Sequence, residues 1–425
     1  MNAAAAASAE ALVHLAVAHL NARRYEEAAT AYLEALKTDQ RAEQAWLGLA
    51  VTLALWGRPG DIIGLADHRQ RLLGDGFLFC HAALGVLMNY RFFDAVREFA
   101  AIVPGTSRYA ASAAYNAGCA ALIQGDEDRA FAFFGRFKRH LADSEASFPI
   151  GPNSLFNIAY RQGSLIEDRD YVRDLAGFEA VRRTLPEPVF ETGPADAGDT
   201  VIAACCDRPY FERFAPGLVA SAARHLPGST LHLHVIAPDE STQGRAAALA
   251  SSAPEITLAL STEAAGPFHS GAYFACSRFL IGQALLDRYR RRLVLVDVDI
   301  EFLAPLDDLL AAVGDHDLAV FQHDGAGPCS RYPAVLTCWA PDERARDLLD
   351  RTGRFILSKL HIEWPHNWML DQAALASIIR WAATERPDAA IAIANDVTGR
   401  NWDHWVRSVG GDEKAAMIRA AGQPG

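Results

Sequence analysis

The apolar run LVLV at 293–296 is followed at once by Asp297-Val298-Asp299. Alternate residues of an extended chain point to the same side, so two carboxylates are expected to emerge together where a buried strand ends. Paired hard oxygen donors in such a place suit Mg2+ or Mn2+. These ions bind through one or two carboxylates and keep positions open for the phosphate oxygens of a diphosphate. An Asp-x-Asp in a solvated turn carries no such chemistry, and the strand before this one sets it apart.

Other residue types narrow the chemistry. Seven Cys (80, 119, 205, 206, 276, 329, 338) are scattered without a CxxC spacing, which indicates reduced thiols rather than a zinc site or a disulfide framework. His232 and His234 alternate within TLHLHVIA and are expected in the core or at its rim, not on a metal. Neither GxGxxG nor GxxxxGK[ST] follows the first strand of the second half, so the usual phosphate cradles are absent. The net charge is −12, and only four of the 40 basic residues are Lys (37, 138, 359, 414). That balance disfavours nucleic acid and anionic membranes, whose phosphates repel an acidic chain. The Ala-rich start lacks a basic region and carries Glu10, His14 and His19. No apolar run approaches the roughly 18–20 residues of a membrane span. A cytoplasmic protein with no transmembrane segment is expected.

The elements that must position these residues fall into two parts. A chain of 425 residues is long enough for two or three domains. From Ala9 to Leu141 apolar residues recur with helical period. Leu12, Leu15 and Ala16 return 34 residues later as Trp46, Leu49 and Ala50. Gly118, Ala130, Phe134 and Phe137 repeat the offsets of Ala16, Ala28, Tyr32 and Ala35, and Ala95 and Phe99 take the small and aromatic places of a looser unit. A 34-residue period with small and aromatic residues alternating resembles tetratricopeptide repeats. The resemblance implies an all-α repeat solenoid over 1–190, a degenerate capping pair near 150–185, and a concave surface for a partner. Pro186, Pro188, Gly193, Pro194 and Gly198 mark a linker. Beyond it strands and helices alternate: DTVIAACC, LVASAARHL, TLHLHVIA, EITLAL, SRFLIGQALL, the single strand RRLVLVDVDIEFL, LAVFQH, AVLTCWA and IAIAND. This alternation predicts an α/β domain with a mostly parallel sheet and ligands at the strand C-termini.

In order and spacing, residues 199 to 415 resemble the metal-dependent nucleotide-sugar transferases of the GT-A fold, in particular glycosyltransferase family 8. The motifs are CCDRPYF, YFACSRFLIGQALL, DVD and NWMLDQAAL. The likeness implies an α/β GT-A-like domain over 199–425 that moves a sugar, with retention, from a nucleotide-diphosphate donor, UDP-linked in preference. It puts Asp207 and Tyr210 on the base, Arg278 on the donor, and Asp371 and Gln372 beside the donor sugar. It puts Mn2+ or Mg2+ on Asp297 and Asp299. The family's third ligand is a His followed by Gly and a Lys on the diphosphate. Here His404, Gly410 or Gly411, and Lys414 follow that order with wider spacing, while Asp396 in NDVTGRNW offers a competing alignment. The acceptor, protein or glycan, is expected on the repeats. An inverting enzyme would instead need a carboxylate base, Asp371 or Glu363. Two other classes share the Asp pair: a nucleotidyl or phosphoryl transferase, and a scaffold whose second domain is inactive. Structural duties compete residue by residue. Asp371 suits a helix cap, Tyr210 suits packing, and Arg278 suits an ion pair.

Overall fold

The computed structural model describes residues 3–74, 77–103, 109–144, 175–192, 198–268, 270–323, 331–360 and 370–411. The chain divides into two compact units, Met1–Tyr160 and Arg161–Gly425. No helix among the described residues is long and apolar enough to cross a membrane.

The first unit is helical: α1 (Ala3–Asn21), α2 (Tyr25–Thr38), α3 (Glu43–Leu55), α4 (Pro59–Leu73), α5 (Phe77–Asn89), α6 (Phe93–Ile102), α7 (Ala110–Ile123) and α8 (Glu127–Ser144). They form four hairpins whose internal turns share one geometry. Arg23, Gly57, Arg91 and Gly125 adopt left-handed φ of 56°, 75°, 62° and 78°, 34 residues apart each time. The next residue's N–H reaches five residues back: Arg24 to His19, Arg58 to Leu53, Phe92 to Leu87 and Asp126 to Ala121, at 2.8–3.0 Å. This bond caps the last turn of a helix once its end residue turns left-handed. The periodic small and aromatic positions Ala16, Ala28, Tyr32, Ala35, Ala130, Phe134 and Phe137 are buried. Gly118 lies so close to the Phe134 ring, and Gly48 to the Tyr32 ring, that a Cβ on either would overlap it. Most of the capping pair near 150–185 falls outside the described residues. Its last stretch is α9 (Leu175–Arg182), which belongs with the second unit through Arg182 to Asp350 at 3.1 Å and to Gln283 at 2.9 Å.

The second unit holds an eight-stranded sheet of β1 (Val189–Phe190), β2 (Thr200–Asp207), β3 (Thr230–Ile236), β4 (Thr257–Glu263), β5 (Arg292–Val296), β7 (Leu318–Val320), β8 (Leu336–Trp339) and β9 (Ile391–Ile393). The strand order is β1-β4-β3-β2-β5-β8-β7-β9. β4, β3, β2 and β5 are parallel neighbours. β7 and β9 are also parallel, and β1 and β8 run antiparallel to their neighbours, so the sheet is mixed, with four of its seven pairings parallel. A separate ribbon joins β6 (Ile300–Phe302) to β10 (Val406–Ser408). The helices are α10 (Arg208–His225), α11 (Thr242–Ser252), α12 (Gly271–Tyr289), α13 (Asp307–Val313), α14 (Glu343–Leu360), α15 (Leu370–Glu385) and α16 (Ala394–Thr398). Ile202, Leu231, Leu233 and Val294 pack with Phe211, Phe214, Leu218 and Ala222 of α10 on one face. α10 starts at Arg208, with Asp207 as its N-cap. Pro209 stands in its first turn, where its missing N–H costs nothing.

The opposite face carries a buried polar chain under α12. His232 Nδ1 meets the Tyr289 hydroxyl and its Nε2 meets Ser261 Oγ, both at 2.8 Å. Ser261 Oγ also meets His234 Nδ1 at 2.8 Å, and His234 Nε2 lies 3.4 Å from Glu263. Tyr273 donates to the other Glu263 oxygen. Both imidazoles are sealed in the core, as their alternation in TLHLHVIA suggests. Burial, with His234 and Arg288 adding to it, lowers the His232 pKa to about 3.

Candidate functional site

The C-terminal ends of β2 and β5 lie side by side, because these strands pair in parallel with Ala204 opposite Val296. β5 ends at Val296. Asp297, Val298 and Asp299 form a turn into β6 rather than continuing one long strand. The two carboxylates therefore share this edge through a turn, not through the pleat that the sequence pattern suggests. Within the turn Asp297 is the more open, with its side chain 28% exposed, while Asp299 is buried.

Arg278 is the hub of the site. It stands on α12 and is fully buried, although a side chain expected to reach a donor should be exposed. Its Nη1 lies 2.8 Å from Asp297 Oδ1, and its Nη2 lies 2.8 Å from Asp371 Oδ2. The carbonyls of Ala275 and Ala334 accept its remaining bonds, the latter at 3.0 Å. Burial pulls the guanidinium pKa down, but the two carboxylates outweigh it and leave the group above its ordinary range. Asp371 is in the first turn of α15 and accepts its neighbour Gln372 N–H at 2.9 Å. Its carboxyl is raised above the usual range because burial outweighs the pull of Arg278. Sequence reasoning placed Arg278 and Asp371 on the donor. The structure pairs the two with each other and pairs Arg278 equally with Asp297.

Asp207 ends β2 and caps α10, accepting the Tyr210 N–H at 3.0 Å. The Tyr210 ring packs on Phe214 at a centroid distance of 5.1 Å. Asp207 and Asp299 flank the same thiol: after burial, which comes first, the charges of Cys205, Asp207 and Asp299 push Cys206 well above its ordinary pKa. The chain returns to this place near its C-terminal end. Val409 N–H donates to the Asp299 carbonyl at 2.9 Å. Gly410, at φ 75°, comes so close to Phe214 that a Cβ would lie 2.7 Å from the ring.

The structure does not bring His404 to the acid pair. β10 pairs with β6 so that Ser408 faces Ile300 and Val406 faces Phe302. His404 thus lies past the far end of the ribbon, exposed, with Nε2 against the Arg400 guanidinium at 2.8 Å. Asp396 stands in the first turn of α16, also exposed. Among the described residues no group of three His, Cys, Asp or Glu is placed to hold a metal ion. Lys414, Glu363 and the Asn367-Trp368-Met369 part of the Asp-Gln motif lie outside the described residues. Sequence reasoning missed the Ala334 carbonyl and the Val409 N–H, since a backbone group carries no side-chain signal, whereas Gly410 was among its candidates.

No protein-family model matches the sequence, and no curated protein matches it. Among solved structures, the glycosyltransferase GlyE of Streptococcus pneumoniae TIGR4 is similar at 17% identity, over 53% of this chain and 50% of that one, with a TM-score of 0.32. Apo mouse xyloside xylosyltransferase 1 is similar at 12% identity, over 46% of this chain and 84% of that one, with a TM-score of 0.30. The WbbM bifunctional glycosyltransferase in its apo form is similar at 14% identity, over 50% and 49%, with a TM-score of 0.29. The chain spans about half the length of GlyE and of WbbM. All three are glycosyltransferases, but likenesses this loose assign neither fold nor activity to this chain.

Proposed function

We propose that this chain is a glycosyltransferase that moves a sugar from a nucleoside diphosphate donor, UDP-linked in preference, to an acceptor held by the helical unit. One observation supports it above the others. Asp297 and Asp371, from two distant stretches of chain, are tied to one buried Arg278 at the strand C-termini, with Asp299 and Asp207 flanking the adjacent Cys206. Ligands of open α/β sheets bind along this edge.

Asp297 and Asp299 supply hard oxygens and no soft donor atom, a set that fits Mg2+ or Mn2+ with the remaining positions left to substrate. Such an ion, when bound, supplies Lewis acidity and charge against the leaving diphosphate. The chain's own residues do the rest. Arg278 holds Asp297 and Asp371 in register, so the donor's diphosphate end and its sugar end meet one rigid frame. Asp371 and Gln372 line the sugar, Asp207 and Tyr210 take the base, and Lys414 adds charge at the diphosphate. Anomeric configuration is retained in this reading. The 34-residue hairpins are read as tetratricopeptide repeats, whose stacked pairs suit a polypeptide acceptor. Tethering the acceptor raises its local concentration without touching the donor pocket.

The test incubates the purified full-length chain with UDP-, GDP- and ADP-sugars, with Mn2+ or with EDTA, and measures free nucleotide. Release with one donor class that EDTA abolishes supports the reading. No release and no metal-dependent binding with any donor rejects it.

A further inference from the structure

Tyr273 stands in the first turn of α12, and Tyr289 is the last residue of that helix. Both hydroxyls end on one buried chain of β3 and β4. Tyr289 meets His232 Nδ1 at 2.8 Å, and Tyr273 donates to Glu263. Between them Ser261 Oγ lies 2.8 Å from both His232 Nε2 and His234 Nδ1, and His234 Nε2 faces the second Glu263 oxygen at 3.4 Å. All six side chains are buried, so each contact needs its donor and its acceptor from within the chain.

The protons can be assigned link by link. A serine hydroxyl has one proton, so one imidazole must donate to Ser261 and the other must accept from it. Arg288, which only donates, is a second partner of the Tyr289 hydroxyl and leaves the Tyr289 proton for His232 Nδ1. Burial, with His234 and Arg288 adding to it, lowers the His232 pKa to about 3 and keeps the ring neutral. Its one proton then sits on Nε2 and goes to Ser261. Ser261 donates to His234 Nδ1, and the His234 proton on Nε2 points at Glu263. Read from the other end, Glu263 as a carboxylate only accepts, which gives the same order. The competing arrangement is a doubly protonated His234 on Glu263, which turns Ser261 round and moves the His232 proton to Nδ1. A charge-assisted bond of that kind is about 2.7–2.9 Å long, whereas the contact is 3.4 Å.

We infer that this chain is ordered in one direction, every group donating toward Glu263, and that Ser261 and Glu263 are positioning residues for Arg278. They tie both ends of α12 to the sheet, and Arg278 lies between those ends, held against Asp297 and Asp371. Glu263 sets the sense of the whole chain, because a donor in its place must reverse every link up to Tyr289. The inference stands apart from the transferase reading, since it concerns protons and one helix and needs no substrate.

The experiment is nitrogen NMR of the full-length chain at pH 7 with 15N-labelled histidine and arginine. The two imidazoles are identified by the signals lost in His232→Gln and His234→Gln. Both should be neutral with the proton on Nε2. A doubly protonated His234, or either ring protonated on Nδ1 alone, overturns the inference. Glu263→Gln keeps the oxygen that Tyr273 bonds and turns an N–H toward His234, so both rings should move their proton to Nδ1. A His232 ring unchanged in that variant overturns the claim that Glu263 sets the order, because a purely local role would stop at His234. Ser261→Ala cuts the chain at a point that does not touch Arg278. It should still shift the Arg278 Nε–H signal, which is identified by its loss in Arg278→Lys, and Ser261→Thr should restore it. An Arg278 signal unmoved in Ser261→Ala overturns the positioning role. If the variants at 261 and 263 do not fold by circular dichroism, the two ring states of the parent still decide the order.

Discussion

Replacing Asp371 separates its structural duty from its chemical one. The residue is 8% exposed and Arg278 is 1% exposed, so their 2.8 Å contact is a buried pair. Asp371→Leu leaves the guanidinium with Asp297 and two carbonyls, and breaking a buried pair in this way costs about 3–5 kcal/mol. Asp371→Asn keeps the shape and an accepting oxygen. It exchanges a charge-assisted bond for a neutral one, a loss of about 1 kcal/mol. At about 2–4 °C per kcal/mol for a unit of this size, the Leu variant should melt about 6–20 °C lower and the Asn variant about 2–4 °C lower. Under the transferase reading, which places this carboxylate beside the donor sugar, both should lose turnover. The assays are thermal melts by circular dichroism and nucleotide release with saturating donor and Mn2+. Equal melting of the Leu variant and the parent would refute the buried-pair reasoning. An Asn variant with parental turnover would confine Asp371 to holding Arg278.

Four further outcomes follow from the same geometry. Asp299→Asn should melt with the parent yet lose transfer at saturating Mn2+, and undiminished transfer would remove Asp299 from the cation site. A fragment of residues 161–425 should stay soluble and release nucleotide but fail to glycosylate the natural acceptor, so acceptor transfer at the parent rate would leave the repeats a different task. One starting at Asp199 loses β1, which pairs Val189 with Thr262, and α9, and should aggregate on expression. The unfolded chain protonates His232 near pH 6.5 but the native chain only near pH 3. This part of the stability is therefore complete above pH 6.5 and is lost toward pH 3 at up to about 1.4 kcal/mol per pH unit; urea midpoints at pH 7, 6 and 5 that fall no faster than those of His232→Gln would contradict it.

The sequence showed periodicity well and pairing poorly. The 34-residue recurrence was visible in Trp46, Leu49 and Ala50 because helical neighbours are local. The left-handed turns were half hidden, since Gly57 and Gly125 advertise them while Arg23 and Arg91, with the same φ, do not. Strands β2 to β5 were legible as apolar runs, yet the reversal of β8 was not, because a buried strand reads the same in either direction. The turn between the two strands of LVLVDVDIEF escaped notice for a related reason: Ile300 and Phe302 continue the alternation of β5 after the turn. His404 and Arg278 carry the sharper lesson. Whether His404 meets the acid pair depends on a β10–β6 register across more than a hundred residues, and local spacing cannot supply that. Arg278 stands between Ser277 and Phe279 on a helix stretch that turns out to be core, where an arginine is rare unless paired.

The four matching turns of the first unit have a consequence for its length. Each hairpin turns through the same backbone geometry at its middle, so a cut from just after Gly57 to just after Arg91 removes 34 residues and rejoins two equivalent turns. If the hairpins stack as the proposed repeats, each pair contacts only its neighbours, and an edit of that size should shorten the row by one step without a mismatched seam. Three hairpins would remain, about the smallest number that can bury a continuous core. The reach of the row is in this sense an integer, adjustable in whole steps. Arg23→Gly would mark the cost of the present setting, since an arginine held left-handed forfeits roughly 1–2 kcal/mol and glycine should return about 1 kcal/mol of it after its own entropy. A melting temperature unmoved by that change would mean the turn is held by its neighbours and not by its own residue.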